Sequence, residues 1–250
     1  MREGRREMKI LAIGNSFSDD ATKYLHQIAK GAEFDLTAVN LFIGGCSLER
    51  HMETINEGQR VHNRQVNGIF PGEFCSIKEG LLSGEWDVVT IQQVSNKSGL
   101  EETYEPYGSQ LLEYVAKYAP NAKVYFHRTW AYEIDSTHGQ FPNYDCDQQK
   151  MYDMIISATN KFCEKHSLSV IPSGDVIQAL RKTPEFDYAN GGESLCRDGF
   201  HMNLIYGRYA VAATWFETLT GKSIFDSTFV PEGADEGKIE LIKKVVHSMV

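Results

Sequence analysis

The sequence has no long apolar run and no excess of positive charge. No stretch approaches the roughly 20 consecutive apolar residues that a membrane-spanning helix needs, and the basic start of the chain leads into a short apolar run that is too brief for a signal peptide. The 34 acidic residues outnumber the 25 basic ones, which gives a net charge of −9. Because nucleic acids and anionic membranes are bound through basic surfaces, we expect neither as a partner and favour a small, neutral molecule.

Cysteine is scarce and forms no recognisable pattern. The five cysteines stand apart, without a CxxC pair: Cys46, Cys75, Cys146, Cys163 and Cys196. This odd, scattered set argues against a disulfide framework and against a structural zinc site, so we expect free buried thiols and no metal ion. Free thiols fit a reducing cytoplasm, and the alternative is a disulfide-free exported enzyme whose leader had been removed.

Nucleotide-binding loops and domain linkers are missing as well. Neither GxGxxG nor GxxxxGK(S/T) occurs, which argues against a nucleotide-binding or flavodoxin-like domain that holds phosphate in its first loop. No Pro/Gly/Ser-rich tract or internal repeat divides the chain, so we expect a single domain over residues 1–250.

Short apolar runs alternate with helical patterns along most of the chain. Five runs are typical of buried strands, at residues 10–13, 34–43, 86–91, 123–126 and 167–171. Because helical patterns separate most of these runs, the order predicts βαβ units and a parallel sheet. The polar, irregular stretch at residues 48–74 is predicted to be a long excursion that forms one wall of a site.

Ser16 is the first candidate nucleophile. The first strand runs directly into Gly14, Asn15 and Ser16, and a helical segment follows from about Asp20. Open α/β folds bind ligands at the carboxyl edge of the sheet, where these residues should lie. The alternative is that Ser16, or a polar residue just after it, only caps the helix.

Small and amide residues follow the next two strands. Gly44 and Gly45 end the second strand, and they either present a backbone N–H to an oxyanion or form a tight turn. Gln92 and Gln93 end the third strand, where a side-chain amide can donate to an oxyanion or satisfy loop backbone. Cys46 is not expected to act as a nucleophile, because nothing near it in sequence would activate a thiol.

Two further groups follow later strands. Trp130 and Tyr132 come after the fourth strand, where they either form a ligand wall that faces sugar rings or pack at the rim of the core. Asp198 and His201 lie three residues apart in one predicted turn, so the carboxylate can orient the imidazole as a base. Alternatively, the aspartate only forms the turn and the histidine only begins a helix.

In chain order, these features resemble the SGNH (GDSL-like) hydrolase superfamily. The resemblance rests on GNS after the first strand, the glycine pair after the second, the amides after the third and the late DxxH. The opening IGNSFS, the glutamine after the third strand and the TWAY segment are similar to its DUF4886-type branch. The resemblance implies a three-layer αβα sandwich, flavodoxin-like, with a five-stranded parallel sheet.

The resemblance also implies roles for individual residues. Ser16 matches the nucleophile, and Asp198 and His201 match the pair that completes a Ser-His-Asp triad. Gly44 or Gly45 matches the glycine whose backbone N–H, together with that of Ser16, forms the oxyanion hole.

At two positions the sequence departs from the larger superfamily. Asn15 stands where an aspartate is usual, and IQQVSN replaces the GxND segment whose asparagine donates to the oxyanion. Gln92, Gln93 or Asn96 would then supply the amide, and Gln92 is favoured as the first residue beyond the strand. A glutamine at this point also resembles sialate O-acetylesterase-like relatives.

The implied function is that of a serine esterase. The expected substrate is a small acyl ester, such as an O-acetyl group on a carbohydrate, and no metal ion or organic cofactor is needed. The expected wall of Trp130 and Tyr132 supports a sugar substrate. The alternative is a non-catalytic carbohydrate-binding protein on the same fold, which would bind glycans without any reaction at Ser16.

Overall fold

A single mixed sheet organises the protein, whose computed structural model describes residues 7–250; the basic segment at residues 1–6 lies outside this range. The sheet has seven strands in the order β4-β3-β2-β1-β5-β6-β7. The strands are β1 (Met8–Gly14), β2 (Leu36–Phe42), β3 (His62–Val66), β4 (Phe74–Cys75), β5 (Val88–Ile91), β6 (Lys123–His127) and β7 (Ser169–Ile171). The helices are α1 (Ser16–Thr22), α2 (Leu25–Gly31), α3 (Leu48–Asn56), α4 (Ile77–Leu82), α5 (Tyr107–Tyr118), α6 (Gln148–His166), α7 (Ser173–Leu180), α8 (Tyr206–Thr220) and α9 (Glu236–Met249).

The strands predicted from apolar runs form the parallel part of the sheet. β2, β1, β5, β6 and β7 pair in parallel in that order, which is the order of a flavodoxin-like fold. The α/β class is therefore confirmed. Because parallel strands share one direction, the loops that follow β1, β2 and β5 meet at a single edge of the sheet.

The predicted count of five strands is wrong, because the stretch at residues 48–74 holds α3, β3 and β4. β3 pairs antiparallel with β2, and β4 pairs antiparallel with β3. The β3 sequence HNRQV lacks the apolar alternation of a half-buried strand. Its Gln65 binds across the sheet instead, because Asn40 Nδ2 on β2 donates to Gln65 Oε1 at 2.8 Å. Pairing with β2 therefore determines this strand more than its local sequence does.

The central strand explains why helices cover both faces. Alternate residues of a strand point to opposite faces of the sheet. In β1, Ile10 and Ala12 enter the core shared with α8 and α9, whereas Leu11 and Ile13 enter the core shared with α4 and α5. The result is the three-layer αβα sandwich. Within residues 7–250, no helix has both the length and the apolar character needed to cross a membrane.

Candidate active site

Ser16 is the first residue of α1, and Asn15 is the residue that caps this helix. Asn15 has extended backbone angles, and its Oδ1 accepts from Phe17 N at 3.0 Å. The helix thus begins about four residues earlier than the sequence predicted, with the cap one residue before Ser16. Ser16 is half-buried, and among residues 7–250 its Oγ has no hydrogen-bond partner. The hydroxyl is therefore uncommitted at the edge of the sheet.

Asn15 joins the ends of three strands. Its Nδ2 donates to Cys46 O, after β2, at 3.0 Å, and its Oδ1 accepts from Gln92 Nε2, after β5, at 2.8 Å. The side chain is 1 % exposed. An aspartate could not donate to the Cys46 carbonyl, so the neutral amide suits this position because it both donates and accepts.

Gln92 belongs to a buried chain of hydrogen bonds. Gln92 Nε2 donates to Asn15, and this bond fixes the orientation of the amide. Gln92 Oε1 therefore faces His127, whose Nδ1 donates to it at 2.9 Å. His127 Nε2 in turn accepts from Ser173 Oγ at 3.0 Å. Burial lowers the pKa of His127 to about 3, so the ring is neutral and this direction of donation is consistent. The Gln92 amide is thus committed to holding Asn15 in place.

The other two candidate amides differ in what they bind. Gln93 Oε1 accepts from Leu48 N and Val94 N at 3.1 and 2.9 Å, and its Nε2 donates to Thr103 O at 3.0 Å. Asn96 lies in a short 3-10 turn, is half-buried, and within the described part of the chain its side-chain amide has no partner. Of the three amides, that of Asn96 is the one available to a ligand.

The glycine pair forms the tip of the turn after β2. Gly45 has a φ of +62°, a left-handed conformation that glycine adopts without strain. The turn is closed by Cys46 N, which donates to Ile43 O at 3.3 Å, and within residues 7–250 neither glycine N–H has an acceptor. The backbone N–H groups of Gly44 and Gly45 therefore remain available. Burial raises the pKa of the adjacent Cys46 thiol to about 12, so it stays protonated.

Asp198 and His201 form a direct pair. Asp198 Oδ2 lies 2.7 Å from His201 Nδ1, and its Oδ1 accepts from His201 N at 2.8 Å and from Phe200 N at 3.2 Å. Partial burial raises the pKa of Asp198, but the imidazole and backbone N–H groups of His201 together lower it below its usual range. The ionised carboxylate orients the ring, and within residues 7–250 Nε2 has no hydrogen-bond partner.

A buried carboxylate attaches this turn to the helix that carries Ser16. Asp20, on α1, is 0 % exposed, and its Oδ2 accepts from Met202 N at 2.9 Å. Arg197 Nη1 and Arg208 Nε donate to its Oδ1 at 2.9 and 2.8 Å. Arg197 N also donates to His201 O at 2.9 Å, which closes the turn.

The imidazole consequently lies near the start of α1. The ring centroids of Phe17 and His201 are 6.0 Å apart. Within the described residues, no hydrogen bond joins Ser16 Oγ to His201. Hydrogen bonds between catalytic groups are in general often long in ligand-free enzymes and tighten when substrate binds.

Trp130 and Tyr132 are fully buried, with 0 % exposure each. Trp130 stacks on Phe17 with ring centroids 4.1 Å apart, and its Nε1 donates to Phe200 O at 2.7 Å. Tyr132 bonds Ser95 Oγ through its hydroxyl at 2.9 Å. Both rings are therefore packed in the core, where they bond to residues of the loops around the site. This is the packing alternative given in the sequence analysis. The expected aromatic wall facing a sugar is therefore not formed by these two residues.

Metal ligands are not grouped in the described part of the chain. Among residues 7–250, no cluster of three or more His, Cys, Asp or Glu side chains could hold a metal ion. The five cysteines are free thiols, and only Cys146 among them is exposed.

Comparison with known proteins identifies the family and the fold. Residues 9–249 match DUF4886, a domain of unknown function. The crystal structure of a DUF4886 family protein from Bacteroides uniformis ATCC 8492 superposes with a TM-score of 0.88 at 33 % identity, over 97 % of this chain and 94 % of that one. No curated protein matches the sequence.

More distant solved structures share the fold alone. A protein from Slackia heliotrinireducens, provisionally described as an SGNH hydrolase, gives a TM-score of 0.58 at 19 % identity, over 86 % of this chain and all (100 %) of that one. The acetyl xylan esterase AlAXEase gives 0.56 at 15 % identity, over 85 % and 100 %. The chain therefore belongs to the DUF4886 family, and its fold is that of the SGNH hydrolases.

Proposed function

We propose that the protein is a serine esterase in which Ser16, His201 and Asp198 form the catalytic triad. The observation that carries the proposal is the Asp198–His201 pair, at 2.7 Å, held by Asp20 against the helix that begins with an uncommitted serine. A carboxylate-oriented imidazole beside a serine is the arrangement that activates a hydroxyl for acyl transfer.

The reaction proceeds in two steps. His201 Nε2 takes the proton of Ser16 Oγ while the oxygen attacks the ester carbonyl carbon, and the tetrahedral intermediate collapses as the alcohol leaves with that proton. Water then attacks the acyl-serine, with His201 again as the base. The carboxylic acid leaves and the serine hydroxyl is restored.

The oxyanion is stabilised by N–H groups that have no partner among residues 7–250. The backbone N–H of Ser16 and that of Gly44 or Gly45 supply two donors, and the side-chain amide of Asn96 supplies the third. We assign the third donor to Asn96 rather than to Gln92 because Gln92 is buried and its amide is already held by Asn15 and His127. The half-buried Asn96 amide, in contrast, has no partner within residues 7–250.

The proposed substrate is a small acyl ester, with an O-acetyl group on a carbohydrate as the preferred case. The support is the shared fold with a protein described as an acetyl xylan esterase, together with the family resemblance noted from the sequence. The acidic net charge of −9 fits a neutral substrate.

Hydrolysis of p-nitrophenyl acetate tests the proposal. We expect turnover by the wild type and a loss of at least about a thousandfold in kcat for Ser16→Ala and for His201→Ala. Equal turnover by wild type and Ser16→Ala would overturn it. A wild type that hydrolyses no ester but binds glycans as tightly as Ser16→Ala does would point to the non-catalytic binding protein.

A further inference from the structure

Two aromatic side chains stand beside the Asp198–His201 pair and are only half-buried. The ring centroid of Phe200 lies 4.1 Å from that of His201. His138 meets Phe200 edge-on, with centroids 4.9 Å apart and an interplanar angle of 77°. Unlike the two aromatic residues predicted from the sequence, both keep solvent-accessible surface next to the proposed base.

The loop that carries His138 is packed directly on the turn of the catalytic pair. Glu133 N donates to Gly199 O at 2.7 Å. A Cβ atom at Gly199, whose φ is +85°, would lie 2.9 Å from Ser136 Cα, so the glycine permits this close approach. His138 also contacts the buried Tyr132 ring, at 4.7 Å between centroids. The imidazole is thus fixed relative to the proposed base.

His138 offers one free hydrogen-bond donor. Its Nδ1 accepts from Gln140 N at 3.2 Å, which places the ring proton on Nε2. Burial lowers the pKa of His138, the neighbouring His201 lowers it further, and Asp198 opposes them. The ring is therefore neutral at pH 7, and within residues 7–250 its Nε2–H has no acceptor.

We infer that Phe200 and His138 form the subsite for the alcohol half of the ester and that this alcohol is a sugar. The Phe200 ring packs on a C–H face of the sugar, and His138 Nε2–H donates to one of its hydroxyl oxygens. An alkyl alcohol would cover the aromatic ring but leave the Nε2–H unpaired, and a site discriminates strongly against a ligand that leaves its polar group without a partner. The inference rests on the proposed esterase function.

Substitutions at His138 test the subsite with two kinds of ester. The first is p-nitrophenyl acetate, whose leaving group has no hydroxyl, and the second is a set of mono-O-acetylated methyl glycosides. We expect His138→Phe to lower kcat/KM for the acetylated glycosides about tenfold and to leave p-nitrophenyl acetate within about twofold. His138→Gln, whose amide N–H replaces the Nε2–H, should restore most of the glycoside rate. His247→Phe, on α9, is the matched control and should change neither substrate.

The other possible results with the two kinds of ester separate the subsite from the esterase proposal. Equal losses on both substrates, or no loss on the glycosides, would overturn the subsite. Turnover of p-nitrophenyl acetate without any turnover of acetylated glycosides would overturn the subsite and leave the esterase standing.

If neither ester is hydrolysed, the esterase proposal fails. Binding then decides the subsite separately: unacetylated methyl glycosides should shift the NMR signals of the His138 imidazole in the wild type and bind His138→Phe more weakly. An unperturbed imidazole would overturn the subsite.

Discussion

Asp20 Oδ2 accepts a hydrogen bond from the backbone N–H of Met202 at 2.9 Å, which ties the helix that begins at Ser16 to the residue after His201. Two arginine side chains share the same buried carboxylate. The proposed nucleophile and base come from opposite ends of the chain, so this contact sets how closely they approach.

Replacing Asp20 should therefore slow catalysis as well as weaken the fold. Asp20→Asn removes the charge between two arginines, and we expect a loss of about 3 kcal/mol in unfolding free energy. We also expect kcat for p-nitrophenyl acetate to fall by about 10- to 100-fold with KM nearly unchanged, because alignment of the base is lost rather than substrate binding. Urea unfolding and steady-state kinetics measure both. The neighbouring Asp19→Asn is the control, and an equal kcat loss in that variant would contradict the role given to Asp20.

The amide of the oxyanion hole can be identified by comparing kinetics with stability. Asn96→Ala should lower kcat by about a hundredfold and leave the free energy of unfolding within about 0.5 kcal/mol. Gln92→Ala should lower the free energy of unfolding by about 1–3 kcal/mol, because it leaves Asn15 and His127 without a buried partner. A normal kcat in Asn96→Ala, with loss of activity at unchanged stability in Gln92→Ala, would return the role to Gln92.

Asp198→Asn tests the orientation of His201. The amide keeps the size of the side chain but no longer stabilises the charged imidazole, so we expect kcat to fall by up to about ten-thousandfold. The lowered pKa of Asp198 keeps the wild-type carboxylate ionised throughout neutral and mildly acidic pH, so the deficit should persist from about pH 5 to pH 8. A deficit of less than about tenfold in p-nitrophenyl acetate assays would contradict the triad.

Buried histidines should make the fold sensitive to acid. Burial lowers the pKa of His51 to about 3 and that of His62 to about 4, and His51 Nδ1 lies 3.2 Å from His62 Nε2. In the unfolded chain both imidazoles have a pKa of about 6.5. The unfolded state therefore binds more protons below that pH, so the stability that neutral histidines provide is complete above about pH 6.5 and is lost as the pH falls towards 4.

A variant with one fewer buried histidine measures this effect. His51→Leu should reduce the slope of unfolding free energy against pH by about one proton, or roughly 1.4 kcal/mol per pH unit, between pH 6 and 4.5. Urea denaturation at several pH values gives the slope. An unchanged slope would show that His51 does not titrate differently in the two states.

The sequence predicts the parallel strands because each is buried on both faces of the sheet and is therefore a nearly continuous apolar run. Residues 10–13 are all apolar because alternate side chains enter different cores. β3 leaves no such pattern, since its Gln65 bonds to the side chain of Asn40 on β2, 25 residues away along the chain. Long-range pairing of polar residues cannot be recognised in a local window.

The contacts of the candidate site are predictable only between residues that lie close together in the sequence. Asp198 and His201 lie in one turn, so their contact follows from their spacing. The partners of Asp20 are at least 177 residues away along the chain, and nothing near it distinguishes it from a helix-capping aspartate. Trp130 and Tyr132 follow the end of a strand, where no periodicity indicates which side chains are buried. The bonds of Gln92 are also invisible in the local sequence, because its partners are Asn15, after β1, and His127, at the end of β6.

The central claim is that Ser16 is a nucleophile activated by His201, and the site of fluorophosphonate labelling tests it most directly. The account predicts one covalent phosphonate adduct per chain, located by peptide mass spectrometry on Ser16, absent from Ser16→Ala and strongly slowed in His201→Ala. An unlabelled wild type, or an adduct on another residue that persists in Ser16→Ala, would contradict it.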